Sequence, residues 1–356
     1  MIVLQVCAFA APNGGNFIAA LTHLENCLKE KEIETIYAFS DGAEGKPWCT
    51  EIQKRTKVYF LPTAKARILP KTYKIFRQIY KENQISIVHS HFELYDIPST
   101  VTAPQKTKIF WHLHDPIKYS KSKRLSRRIL TKLQYSLFNS RANLLSVSIE
   151  HAEYVAAMGF NPKRIFYIPN GIDTSRILPA FKENKDNHFL MFGWEVIRKG
   201  VDLIVAADSD GQLLSECRIL IIGQGACREY LREHPTEHVV FGEPVSDINS
   251  LYKESKAFIH ISRAEGLSYA LLEAIYAGLP VICSNIPENQ IAQEFSGIFW
   301  VSNECADDIK KQIKNICYLK SPLSKMEYFK NKEIIEQKYS LFSWTKRIIE
   351  MYMSGE

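Results

Sequence analysis

No run in the 356 residues is long and apolar enough to cross a bilayer, which takes about 20 residues. The strongly apolar stretches have strand length, and Glu273 interrupts the one from Tyr269 to Cys283. A transmembrane helix is therefore not expected. The N-terminus, MIVLQVCAFAAPNGG, is apolar but lacks the basic start of a signal peptide, and it runs directly into a strand-like pattern and a glycine turn. It reads as mature structure. The eight cysteines contain no CxxC pair and sit in apolar contexts, so neither a zinc nor a disulfide framework is expected; free thiols suit a reducing cytoplasm. Low-complexity tracts and internal repeats are absent too, and with 46% hydrophobic residues the chain has the composition of a folded protein, not a disordered one.

At this length one hydrophobic core is too small a solution, and two domains of roughly 170 residues are expected. Short β-branched runs alternate with helix-period segments throughout, the signature of parallel α/β sheets. IVLQVCAF, ETIYAF, KVYFL, SIVHSHF, KIFWHLH, NLLSVS and RIFYIP come first. A polar stretch, Thr174 to His188, reads as a linker, after which HFLMFG, CRILIIG, HVVFGE, AFIHIS, PVICSN and GIFWVS restart the pattern. The expected division is 1–173, 174–340, and a closing helix in 341–356. Charge is unevenly divided: residues 1–170 hold 24 Lys and Arg against 13 Asp and Glu, a net +11, and the remainder is net −5. Two acid-free basic blocks, Lys57 to Lys81 and Lys118 to Arg141, produce the excess. Such blocks attract phosphates or anionic surfaces.

Ligands of open parallel sheets bind beyond the carboxyl ends of the strands, so the loops there carry the chemistry. After the first strand, Gly14 and Gly15 precede a helix; the pair is not GxGxxG, and either a close backbone approach to an anion or a plain tight turn explains it. In FGWEVIRKGVD, Arg198 and Lys199 stand before a helix starting near Gly200, placed either for a phosphate or as a solvated basic pair. In HISRAEGLSYALLEAIYAGLPVICSN a buried strand ends near Ser262, Glu265 sits at the mouth of a helix running from about Ser268 to Ala277, and Glu273 lies inside it. At 1.5 Å per residue the two carboxylates stand about 10 Å apart, able to grip two ends of one ligand. The positive end of the helix dipole between them suits a phosphate. The strand ends VHSHF and HLHD put His89 with His91, and His112 with His114, on shared faces, as metal ligands or as polar strand ends. Asp208-Ser209-Asp210 spells DxD but follows the helical VDLIVAA instead of ending a strand, and so reads as a helix-terminal loop.

With these motifs in this order, together with SVSIEHAEYVAAMGF, NPKRIFYIPNGID, LIIGQG and HVVFGEP, the chain resembles the retaining glycosyltransferases of family four over nearly its whole length. EGLSYALLEA, with two glutamates separated by seven residues, is the most specific match. The resemblance implies the GT-B fold: two facing Rossmann-like domains with a deep interdomain cleft, the acceptor in the first and the nucleotide sugar in the second. By resemblance Glu265 holds hydroxyls of the transferred sugar, Glu273 holds the ribose, and Lys199 grips the diphosphate, with Arg198 beside it. The backbone of Gly266, Leu267, Ser268 and Tyr269 would contact phosphate and sugar, Gly14 and Gly15 would approach the diphosphate, and His114 would lie beside the anomeric centre. No metal or other cofactor is implied. The chain departs from the family pattern at Trp194, where the family commonly has Arg, and at SNIPENQ, which replaces a glycine pair.

The expectation is thus metal-independent transfer from a nucleotide sugar, UDP-linked first, to a hydroxyl of a glycan or lipid-linked acceptor in surface polysaccharide or glycolipid synthesis. A nucleotide-sugar epimerase of the same two-domain fold is the alternative. A glycosidase built on the two glutamates leaves the phosphate-oriented helix mouth unexplained. The expected location is cytoplasmic, peripheral on the inner membrane face, with no nucleic-acid partner. IKYSKSKRLSRRILTKLQYSLF places Leu125, Ile129, Leu130, Leu133 and Leu137 at helical spacing among basic residues. Such a helix either lies on an anionic membrane or packs its apolar stripe on the core.

Overall fold

The structure is a computed structural model that describes residues 1–114, 125–182, 186–209, 213, 217–245 and 247–354. Its described residues form two compact units, one of Met1–Gly171 with Leu341–Glu356, the other of Ile172–Ser340.

The first unit runs β1 (Ile2–Cys7), α1 (Gly15–Lys29), β2 (Glu34–Ser40), α2 (Pro47–Gln53), β3 (Val58–Leu61), α3 (Pro70–Glu82), β4 (Ile85–His91), α4 (Asp96–Thr102), β5 (Lys108–Leu113), α5 (Leu125–Phe138), β6 (Asn143–Ser146), α6 (Ile149–Ala157) and β7 (Ile165–Tyr167). All strand pairings are parallel, in the order β3-β2-β1-β4-β5-β6-β7. Because successive side chains of a strand point to opposite faces, neighbours in sequence enter different cores. Leu4, Val88, Ile109, Trp111 and Leu144 pack on one face, and Val3, Ile87, Phe110 and Leu145 on the other. The second face is covered by Ala20, Leu24 and Leu28 of α1 and by a helix from the far end of the chain.

The second unit runs β8 (His188–Phe192), α7 (Val196–Lys199), α8 (Val201–Asp208), β9 (Arg218–Ile222), α9 (Gly225–Glu233), β10 (Val239–Gly242), α10 (Asn249–Glu254), β11 (Ala257–His260), α11 (Tyr269–Ala277), β12 (Val281–Ser284), β13 (Ile298–Val301), α12 (Ala306–Tyr318) and α13 (Lys325–Lys338). Its sheet is parallel in the order β10-β9-β8-β11-β12-β13. The covering helix of the first unit is α14 (Leu341–Met353), which inserts Leu341, Trp344, Ile348, Ile349 and Tyr352 against α1.

Two local features are sharper in the structure. The stretch read as a linker from Thr174 belongs to the second unit and opens with a 3-10 turn, Thr174–Arg176. On α5 the apolar stripe faces outward: Ile129, Leu130, Leu133 and Leu137 are 58%, 64%, 52% and 64% exposed, and Tyr135 on the opposite side is buried. Within the described helix these four residues do not pack on the core. Residues 115–124 of the same basic block lie outside the described residues.

Candidate active site

In both sheets the chain reverses its direction of build-out beside the first strand, between β1 and β4 and between β8 and β11. Ligand sites of doubly wound sheets form at such switch points.

In the second unit the loop after β8 leads into α7, which ends on Gly200 at φ 80° and turns into α8. A Cβ there would lie 2.6 Å from the Ile261 carbonyl oxygen, so the corner needs glycine twice over, for its left-handed backbone and for its close approach to β11. The predicted helix starting near Gly200 is thus preceded by a separate turn of helix that carries Arg198 and Lys199. That turn lays both cations on the loop after β11. Lys199 Nζ is 2.5 Å from Glu265 Oε1, and Arg198 Nη1 is 3.4 Å from Glu265 Oε2 while its Nη2 reaches Glu195 at 2.7 Å. Arg263 fixes the corner, donating from its backbone N–H to the Arg198 carbonyl at 2.8 Å and holding Asp202 of α8 with both terminal nitrogens at 2.7 and 2.8 Å. Glu265 is buried, which alone would raise its pKa; Lys199, the neighbouring His260 and Arg198 outweigh this and bring it to about 2. It is a permanent anion with acceptor oxygens only, suited to sugar hydroxyls, beside two cations suited to phosphate.

Gly266, Leu267 and Ser268 form the buried approach to α11, and Tyr269 is its first residue. Ser268 caps the helix, accepting from the Leu271 N–H at 3.4 Å, so one first-turn donor is already used. Glu273 is buried one turn in. Arg176 Nη2 lies 3.6 Å from it and the Tyr252 hydroxyl 3.5 Å. Neither partner was singled out from the sequence: Arg176 stood in the supposed linker and Tyr252 in an ordinary helical segment. The loop SNIPENQ is tied to β11 by Asn289, which donates to the Ser284 carbonyl at 3.0 Å, and by Ser284, whose hydroxyl donates to the Ser262 carbonyl at 2.7 Å.

In the first unit Gly14 is the residue before α1 and has no side chain to cap it; Gly15 takes φ 54°, and a Cβ there would meet nothing within 4 Å, so its backbone faces open space. The two HxH strand ends merge into one array, because β4 and β5 are hydrogen-bonded neighbours with His91 opposite His112. His89 and His91 rings stack at 4.1 Å, as do His112 and His114. His89, His91 and His112 are fully buried and His114 is half-buried at the array's edge. Burial holds all four rings neutral, His114 with a pKa of about 3. Ligand nitrogens of His89, His91 and His112 lie within 4.8 Å of one another, close enough to share an ion, but each of these residues is already committed to a hydrogen bond in the array. Asp208 of the DxD triplet is the last residue of α8. It accepts from the His238 backbone N–H at 2.8 Å and pairs with the His238 ring at 2.6 Å, a structural contact; Asp210 lies outside the described residues.

The family model for glycosyl transferases group 1 matches residues 176–333, and that for Glycosyltransferase Family 4 matches residues 21–176. Among curated relatives, the chain is 24% identical over 303 residues to a subunit of the phosphatidylinositol N-acetylglucosaminyltransferase of Arabidopsis thaliana, covering 80% of this chain and 67% of the relative. To the Homo sapiens protein of the same description it is 23% identical, covering 81% and 64%. The chain thus spans about two thirds of the length of these relatives. It is also 24% identical over 290 residues to the UDP-Gal:alpha-D-GlcNAc-diphosphoundecaprenol alpha-1,3-galactosyltransferase of Escherichia coli, covering 73% and 75%. Similar solved structures include a glycosyltransferase from Rickettsia africae, with TM-score 0.81, 17% identity and coverage of 100% and 99%. Another is Anabaena Alr3699/HepE in complex with UDP and glucose, with TM-score 0.77, 15% identity and coverage of 99% and 100%. The two parallel-sheet units, their strand order and these matches together place the chain among the GT-B glycosyltransferases of family-four type.

Proposed function

We propose that the protein transfers a sugar, with retention, from a UDP-linked donor to a hydroxyl of a glycan or lipid-linked acceptor. The observation that carries this reading is the convergence of Arg198 and Lys199 on buried Glu265 at the start of α11. A diphosphate entering there competes with Glu265 for the two cations, and the sugar beyond it finds the freed carboxylate oxygens. Glu273 takes ribose hydroxyls, in place of part of its contact with Tyr252 and Arg176. Gly266 to Tyr269 line the phosphate, and by the family resemblance Gly14, Gly15 and His114 are further donor residues. The C–O bond between sugar and phosphate breaks, the acceptor oxygen bonds to the same face of the anomeric carbon, and its proton passes to the leaving phosphate oxygen. Lys199, Arg198 and the α11 dipole stabilise the charge that builds on the diphosphate, which is the main catalytic device of such a site. The donor class is supported by the UDP of the Anabaena structure and by the UDP-Gal in the description of the E. coli relative. The acceptor class is supported by the phosphatidylinositol and diphosphoundecaprenol that the relatives' descriptions name. We further propose that no metal is needed, and that the basic first unit, through α5, attaches the enzyme to the anionic inner face of a membrane.

The test is transfer from a panel of UDP-sugars to lipid-linked and glycan acceptors. Glu265→Gln and Lys199→Ala should each slow it by about 100-fold, the scale of losing one preorganised transition-state contact, with far-ultraviolet circular dichroism unchanged. A near-native rate in either variant removes the site assignment. EDTA should leave the rate unaltered; inhibition reversed by added metal returns the histidine array to consideration. Conversion of the donor in the absence of acceptor would mark the epimerase instead.

A further inference from the structure

The hydrogen bonds of the histidine array run in one direction. Gln5 on β1 stands at their centre, with Oε1 2.9 Å from His91 Nε2 and Nε2 3.1 Å from the Tyr352 hydroxyl. A carbonyl oxygen only accepts, so His91 Nε2 carries the ring hydrogen. The rings are neutral and hold one N–H each. His91 Nδ1 is therefore bare, and His114 Nε2, 2.9 Å away, must donate to it. His114 Nδ1 is left with a lone pair. On the other side of Gln5, its amide N–H donates to Tyr352, whose own hydrogen goes to His89 Nδ1 at 2.6 Å; His89 Nε2 then donates to His112 Nδ1 at 3.1 Å. The series ends with an N–H on His112 Nε2, beside the Ile168 backbone acceptor. Rotating the Gln5 amide would reverse every link at once. His112 Nε2 is buried and makes no close hydrogen bond in this structure, but the Ile168 backbone group beside it favours an N–H there, and the reversed series would turn a lone pair toward that acceptor instead. The ring contacts of all four histidines thus depend on one amide, and Tyr352 of α14, whose hydroxyl both donates and accepts, links that amide to the His112 end of the series.

We propose that Gln5 is a positioning residue, linked through Tyr352 to His89 and His112, which acts through His91 to hold His114 as the Nε2–H tautomer and keep its Nδ1 lone pair for a hydroxyl of the reacting sugars. The role of the lone pair rests on His114 acting at the transferred sugar; the tautomer does not. The Asn170 side chain is hydrogen-bonded to the same ring. Which ring nitrogen is protonated follows from the bond that the other one makes.

Two-bond proton–nitrogen correlation spectra of the histidine rings, assigned with single His→Gln variants, read this directly in the whole protein. His91 and His114 should both give the Nε2–H pattern in the unaltered chain. Gln5→Leu removes the acceptor and Tyr352→Phe releases the amide, so in either variant His114 should become a mixture of tautomers. Outer hydrogen-bond partners of functional histidines are worth about 10-fold or more; kcat should fall by about that factor in Gln5→Leu while the donor KM changes far less. An Nδ1–H pattern for His114 in the unaltered chain overturns the proposal, as does an unchanged Nε2–H pattern in both variants. If Gln5→Leu does not fold, the unaltered spectrum and Tyr352→Phe decide. If the tautomers behave as stated while His114→Ala transfers at the native rate, the lock stands and the role of His114 at the sugar falls.

Discussion

Among single residues, those proposed to meet the donor by side chain were legible where one short motif holds them. EGLSYALLEA names Glu265 and Glu273, and RKG names the cations. The partners of Glu273 were not legible, because Arg176 and Tyr252 reach it across long sequence separations from segments with no unusual local pattern. Asp96, the first residue of α4, escaped for the same reason: nothing in ELYDIPS marks it as buried. Burial, with Glu93 adding to it, pushes its carboxyl up to about 7, and one carboxylate oxygen has no hydrogen-bond partner. A folded-state pKa raised above the unfolded 3.8 means that the folded protein binds the proton more tightly. Stability from this group is then lost as pH rises from about 4 to about 7 and is level above. Asp96→Asn should therefore gain on the native chain over that interval, by on the order of 1 kcal/mol or more at pH 8, and differ least at pH 4. Urea midpoints at both pH values check it; a difference independent of pH would show that the carboxyl ionises freely.

For whole elements, the thirteen strands of the described residues could be read in order because parallel strands buried on both faces need short β-branched runs. Helix environment was harder. The periodicity of Ile129, Leu130, Leu133 and Leu137 is the same whether the stripe meets a core or a membrane, so α5 stayed ambiguous until its exposure was known. These side chains share an outward face with Arg128 and Lys132, both exposed. Tyr135 of α5 and Arg67 of the other basic block both bond to Glu93, through its carboxylate and its carbonyl, so the two blocks are neighbours. If α5 lies on lipid, Ile129→Ser, Leu133→Ser and Leu137→Ser together should abolish flotation with vesicles containing anionic phosphatidylglycerol and leave the fold intact, since none of the three is in the core. Loss of flotation with a change from dimer to monomer on gel filtration would instead assign the stripe to a second copy of the chain.

At the scale of the molecule, the division of charge, +11 in residues 1–170 against −5 in the rest, would make the proposed membrane attachment through the first unit salt-sensitive. Each basic residue near an anionic leaflet contributes about 1 kcal/mol, so flotation of the native chain should fall sharply between low and high salt. Binding indifferent to salt would leave the apolar stripe acting alone. The docking of α14 on α1 bears on how the protein is made. Ala20, Leu24 and Leu28 wait for Trp344, Ile348 and Tyr352, which leave the ribosome only after the whole of Ile172–Ser340. The first half to be synthesised is therefore the second to be completed. Throughout elongation a strip of α1 stays open to water or to a chaperone, and the contiguous second unit can close its core while the first still lacks its final helix.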